Sequence, residues 1–155
     1  MAIFKDYLEN KSPLILHGAL GTEMESLGYD ISGKLWSAKY LLEKPEVIQK
    51  IHETYVAAGA DLVTTSSYQA TLPGLIDAGL TKEEAEQIIA LTVQLAKDAR
   101  DKVWATLDHS EKAKRPYPLI SGDVGPYAAY LANGSEYTGD YGQITIEALK
   151  EFHRP

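Results

Sequence analysis

The chain has 155 residues with a formal net charge of −7, 45% hydrophobic and 24% charged residues, and no cysteine. This composition fits one globular domain rather than a disordered chain. An acidic surface argues against nucleic acid as a partner, and the absence of cysteine excludes disulfides and thiolate metal ligands within these residues.

The N-terminal stretch Met1 to Glu9 carries acids and lacks the apolar core of a signal peptide. No segment approaches the roughly 20 apolar residues of a membrane helix. The expectation is a cytoplasmic protein that engages no membrane.

Pro13-Leu-Ile-Leu-His17 is a short strand candidate ended by Gly18. Pro45-Glu46 opens a helix, because proline suits the first helical turn. Val47, Ile48, Ile51, Tyr55 and Ala58 share one of its faces, and Gly59 stops it. Asp61 to Thr65 reads as a second strand, and 66 to 80 as a loop or broken helical turn. Thr81 and Glu84 form a capping box for the helix that follows. Its apolar face runs through Ala85, Ile88, Ile89, Thr92, Leu95, Ala96, Ala99 and Val103. Residues 108 to 118 form a polar linker in which Lys112, Lys114 and Arg115 are solvated. Tyr117 to Ser121 is a third strand, and Asp140 to Gln143 cap a third helix with Ile144, Leu149 and Phe152 inward.

Three strand–loop–helix units predict a parallel sheet covered by helices. The first turn, Gly18-Ala-Leu-Gly21, lacks the G-x-G-x-x-G spacing of a dinucleotide binder. Long segments follow each strand, as in a (βα)8 barrel, whose active site is built from those loops. A whole barrel takes about 250 residues. The expectation is therefore an α/β fold of TIM-barrel type with only the first three βα units present. Residues 1–155 would form a partial barrel domain, with the rest supplied elsewhere.

Candidate chemistry follows the strand ends. His17, Gly18 and Glu23 sit after the first strand, with Gly18 letting a ligand approach the main chain. Trp36 either stacks on a ligand or anchors the rim. Thr64 to Thr71, including Ser67 and Tyr68, is a row of hydroxyls and an amide that either orients a polar substrate or satisfies loop backbone. Asp123 either accepts from an amine or fixes its loop, and Tyr127, Tyr130 and Tyr137 either line a pocket or pack. Among the histidines only His17 stands at a strand mouth, and His52 is read as a surface residue. No two histidines have metal-ligand spacing.

Taken together, Leu16 to Glu25, Leu35 to Lys39, Ala58 to Asp61, Thr65 to Thr71, Gly122 to Tyr127, Tyr130 to Tyr137, Gly139 to Tyr141 and Phe152 to Pro155 resemble the homocysteine S-methyltransferase family, most closely its S-methylmethionine-using branch. The resemblance implies a barrel that moves a methyl group from a sulfonium donor, S-methylmethionine or S-adenosylmethionine, to the thiol of homocysteine, giving methionine. It implies zinc held by cysteines of the later barrel. Zinc stabilises a thiolate, which is the nucleophile. This chain would bind no zinc and would be inactive alone. By resemblance His17, Gly18, Glu23, Trp36, Ser67, Tyr68 and Asp123 belong to the substrate side. His17 departs from the family, which usually has an acid there facing the substrate's amino group. A second expectation is a non-catalytic, small-molecule-binding module that self-associates through open sheet edges.

Overall fold

A computed structural model describes residues 2–9 and 13–154. Met1 and Pro155, the outer ends of the stretches read above, lie outside the described residues.

Helix α1 (Ala2–Glu9) precedes the Pro13–His17 segment. That segment pairs with the sheet through one parallel bridge, Leu16 to Leu62, rather than as a full strand. His17 N donates to Leu62 O at 3.0 Å, and Leu62 N to Ile15 O at 3.1 Å. The segment borders the sheet on one side, and Pro13 has no N–H to extend the ladder. Then come α2 (Leu20–Ser26), a single 3-10 turn (Trp36–Ala38), α3 (Lys39–Glu43) and α4 (Pro45–Ala58). Gly59 ends α4 with φ of 109°, a left-handed cap that L side chains rarely adopt.

Strand β1 (Leu62–Thr64) pairs in parallel with β2 (Leu119–Ser121), with Leu62, Val63 and Thr64 opposite Leu119, Ile120 and Ser121. Both strands are shorter than their apolar runs predict, although Thr65 N still donates to Ser121 O at 2.9 Å. Between them lie α5 (Leu72–Asp77), α6 (Lys82–Thr106) and α7 (His109–Lys112). The broken turn within 66–80 is thus a true helix, capped by Thr71, whose hydroxyl accepts from Gly74 N at 3.1 Å. The capping box of Thr81 and Glu84 forms as the pattern predicts.

Helices α4 and α6 pack on each other over the sheet. Ile48, Ile51, Val56, Val63, Leu75, Ala85, Ala96 and Ala99 form the buried interior. Of the predicted α4 face, Val47, Ile48 and Ile51 are buried, Tyr55 is half-buried and Ala58 is exposed. Glu53, on the same helix, is buried and takes Lys102 of α6 at 2.8 Å. Such a pair locks helix to helix, because burying a carboxylate without its cation is costly.

The polar linker also differs from its reading. Asp108 and Glu111 make a second capping box, and Arg115 is not a solvated cation. Its guanidinium donates to Val56 O at 3.0 Å and Ala60 O at 2.7 Å. These carbonyls end α4, where a cation complements the helix dipole.

After β2 come α8 (Tyr127–Leu131), α9 (Ser135–Thr138) and α10 (Ile146–His153). Helix α10 is capped by Thr145, not by 140–143, since Thr145 has extended backbone and its hydroxyl accepts from Ala148 N at 3.2 Å. Ile144 therefore lies outside the helix, while Leu149 and Phe152 are half-buried. Among the described residues, no helix is long and apolar enough to cross a membrane.

Candidate functional site

The segments leaving Leu16, β1 and β2 all emerge at the same end of the parallel sheet. There they enclose a cleft of about 690 Å³, lined among others by His17, Gly18, Trp36, Tyr68 and Asp123. Of the residues singled out from sequence, these five converge. Glu23 does not line the cleft; Glu25, two residues on along α2, does. Ser67 sits behind the wall and lines a neighbouring cavity instead.

Each wall residue is held by a local device. Gly18 is in tight contact: a Cβ there would fall 2.6 Å from the Tyr55 ring. The Tyr55 hydroxyl donates to Ala19 O at 3.2 Å. Trp36 starts the 3-10 turn with φ of 47°, lines the cleft and keeps 42% of its surface exposed.

The hydroxyl row divides in two. Thr65 and Ser67 close a ring with the next loop: Ser67 Oγ donates to Asp123 O at 2.6 Å, Asp123 N to Thr65 Oγ1 at 3.0 Å, and the two hydroxyls meet at 2.6 Å. They satisfy loop backbone. Thr64, Ser66, Tyr68 and Gln69 face the cleft, and Thr65 borders it as well as closing the ring. Of the tyrosines, Tyr127 and Tyr130 pack on Phe152, and Tyr130 also donates to Asp77 at 2.8 Å. Tyr137 and Glu136 of α9 line the cleft.

His17 joins Thr64 through its Nε2 and the threonine hydroxyl. Behind it stands His52, which is not on the surface but fully buried, with neither ring nitrogen hydrogen-bonded. The spacing Ile48, Ile51, His52, Tyr55 is i, i+3, i+4, i+7, a single helix face, and this signal places His52 inward despite its polarity. Burial, and then neighbouring His17, lower the pKa of His52 to about 4. Burial also lowers the pKa of His17, opposed by the Gly18 backbone and Asp123. The Asp123 carboxyl is raised by burial, offset by His17. Burial, and then the carboxylates of Glu136 and Asp123, raise the Tyr68 hydroxyl. Near neutral pH the cleft offers neutral imidazoles at its floor and carboxylates on its walls.

The sequence model of a family described as homocysteine S-methyltransferase matches residues 14–155. The chain belongs to the homocysteine S-methyltransferase family. Homocysteine S-methyltransferase YbgG of Bacillus subtilis (strain 168) is 46% identical over 142 residues, covering 92% of this chain and 44% of that protein. The homocysteine S-methyltransferase of Escherichia coli (strain K12) is 43% identical over 148 residues, 96% of this chain and 46% of its own length. The fold is similar to crystal structures of the homocysteine methyltransferase MmuM from Escherichia coli. The oxidized form matches with a TM-score of 0.84 at 42% identity, over 97% of this chain and 50% of that one. The metallated form matches with a TM-score of 0.81 at 43% identity, over 96% and 50%. The chain thus spans about half the length of the relatives it matches.

Among the described residues no donor set for a metal such as that of the second structure is assembled. The sequence has no cysteine, and the described residues bring no three of His, Asp and Glu together. No chemical step is therefore assigned to zinc on these residues.

Proposed function

We propose that this chain supplies the acceptor-binding wall of a homocysteine S-methyltransferase, as the first three βα units of a barrel. The observation that carries the reading is the cleft at the strand ends, where His17, Gly18, Trp36, Tyr68 and Asp123 meet within a family match over residues 14–155. The in-order parallel pairing of the Leu16 segment, β1 and β2 supports a barrel start rather than a doubly wound sheet, whose order reverses.

The reaction is a transfer between sulfurs. The thiol gives up its proton, and the thiolate lone pair forms the new S–CH3 bond. The old C–S bond breaks, its electron pair returning to the donor sulfur, and a thiolate and a sulfonium become two neutral thioethers. A sulfonium is already a good leaving group, so no strong acid is needed. The chain's own part is to bind and orient. Asp123, a carboxylate of the cleft wall, receives the amino group of homocysteine in place of the acid replaced by His17. Gly18 lets the ligand approach the main chain, and Tyr68 and Trp36 wall it off from water. S-Methylmethionine is the donor by the branch resemblance.

The chain alone binds homocysteine without turning it over. Heteronuclear NMR with homocysteine should shift amides of 16–22, 64–69 and 122–124, while incubation with homocysteine and S-methylmethionine yields no methionine above the chain-free control. Methionine formed over several turnovers would sink the inactivity, and unmoved amides would sink the binding role.

A second reading is a self-associating module. It is favoured by the sheet ending at β2 on one side and at the Leu16 bridge on the other, with Ile15, Leu16 and Val124 more than half exposed. Sedimentation at micromolar concentration separates the two: a single monomeric species removes the second reading.

A further inference from the structure

The sequence holds two asparagines, Asn10 and Asn133, and the second is followed by a glycine. Asn133 and Gly134 are both exposed and join α8 to α9. The Asn133 amide is held in one orientation: its Oδ1 accepts from Ser135 N at 3.0 Å and from the Ser135 hydroxyl. A backbone N–H can meet only the oxygen of a side-chain amide, so these bonds fix which end is which. Among the described residues, neither Asn133 Nδ2 nor Gly134 N donates a hydrogen bond. Just beyond, Ser135 is buried, and Glu136 and Tyr137 of α9 line the cleft.

These are the parts that ring closure of an asparagine needs. Gly134 carries no side chain to shield its nitrogen, and that N–H is committed to no acceptor. When the nitrogen adds to Asn133 Cγ, negative charge develops on Oδ1. Two donors already sit on that oxygen, and donors placed where charge develops stabilise the addition. The amide nitrogen, bonded to nothing, is free to leave.

We propose that Asn133 is a self-modifying site, closing on Gly134 to a succinimide that opens to aspartate or isoaspartate, and that the isoaspartate form draws α9 away from the cleft. Gly134 N loses its proton and bonds to Asn133 Cγ. The bond from Cγ to Nδ2 breaks, and the nitrogen leaves as ammonia with the electron pair and the proton. Water then opens the ring, and it is the one co-reactant the sequence needs. Attack at Cγ restores the main chain and leaves an aspartate at position 133. Its carboxylate keeps both bonds from Ser135, now charge-assisted. Attack at the backbone carbonyl of position 133 routes the main chain through the former side chain and lengthens it by one carbon. Ser135 then loses its acceptor, and Glu136 and Tyr137, held through Ser135, shift from the cleft wall.

The test ages the purified chain in mildly alkaline buffer and follows each asparagine by peptide mapping and mass spectrometry, with isoaspartate told from aspartate by its fragmentation. Asn133 should convert at least tenfold faster than Asn10, whose neighbour Lys11 carries a side chain beside the attacking nitrogen. The rate should rise with pH, because that nitrogen must give up its proton. Ser135→Ala, which removes the hydroxyl donor and keeps the N–H, should slow conversion at least threefold. Amide NMR reads the second half. Asn133→Asp, which stands for the direct product, should leave the amides of 64–69 and 134–138 close to those of the parent, whereas the aged isoaspartate form should shift both sets. Conversion at Asn133 no faster than at Asn10, or an undiminished rate in Ser135→Ala, overturns the site. An isoaspartate form whose amides at 136–137 stay in place overturns its effect on α9.

Discussion

The imidazoles of His17 and His52 meet edge to face, their centroids 5.7 Å apart and their planes at 81°. Both border the ligand cleft, and His52 does so fully buried and without a hydrogen-bond partner. The fold tolerates this because a neutral imidazole is a modest burden in the interior, whereas an imidazolium is not.

Stability should therefore fall with pH in a defined window. His52 titrates near 6.5 when unfolded and at about 4 when folded. Above pH 6.5 both states are neutral there and the residue adds no pH dependence. As pH falls from 6.5 toward 4 the unfolded chain takes up a proton that the folded chain refuses, so stability is lost. Below about 4 the loss levels off. Two and a half pKa units correspond to about 3 kcal/mol. Urea unfolding at pH 7 and pH 4.5 reads the difference. A His52→Gln variant should lose most of the slope that the parent shows between those values; an unchanged slope would assign the acid sensitivity to other groups.

The ring of Thr65, Ser67 and Asp123 ties the loop after β1 to the loop after β2. Thr65→Val keeps the shape and removes the hydroxyl. Asp123 N then loses its acceptor, and Ser67 loses one of its two partners. An unpaired buried donor costs about 1–3 kcal/mol. The variant should lose that much stability by denaturant unfolding and bind homocysteine less well, because Asp123 is no longer held. Ser67→Ala should be milder, since it leaves the Asp123 N to Thr65 Oγ1 bond in place.

Two glycines of one loop should behave oppositely. A Cβ on Gly125 would lie 2.0 Å from the carbonyl oxygen of Tyr68, whereas one on Gly122 would meet nothing within 4 Å. Backbone cannot rotate away as a side chain can. Gly125→Ala should cost about 3 kcal/mol and displace Tyr68 from the cleft. Gly122→Ala should be near neutral or slightly stabilising by restricting the unfolded chain. Thermal melts of the two variants decide the contrast.

Much of this architecture is legible in the sequence because its signals are local. The capping box at Thr81, the proline start and glycine stop of α4, and the apolar face of α6 depend on neighbours within a few residues. What escapes depends on partners far along the chain. Pro13 to His17 has the apolar character of a strand, but ladder length is set by Leu62 and its neighbours. Arg115 reads as part of a basic run until Val56 and Ala60 are brought to it. Glu23 and Glu25 lie two residues apart on one helix, and which of them turns to the cleft is decided by how α2 packs on α4. His52 is the intermediate case: its helical spacing is visible, yet polarity alone suggests the surface.

His17 can be tested by reversal. The family usually carries an acid where this chain has His17, and a neutral imidazole gives the ammonium of homocysteine no counter-charge. His17→Asp should raise homocysteine affinity at least tenfold at pH 7. The gain should vanish for 4-mercaptobutanoate, which keeps the thiol and carboxylate but lacks the amine. Equal effects on both ligands would mean that position 17 does not face the amine. The substitution has a structural cost, because it removes the ring packed against His52 and Tyr55. Loss of that contact should lower stability by about 1–2 kcal/mol. It also changes the charge beneath the cleft: an aspartate beside His52 favours the imidazolium where His17 opposes it. The acid window assigned to His52 should then narrow from its lower end, so the same variant that gains ligand should lose less stability between pH 6.5 and pH 4.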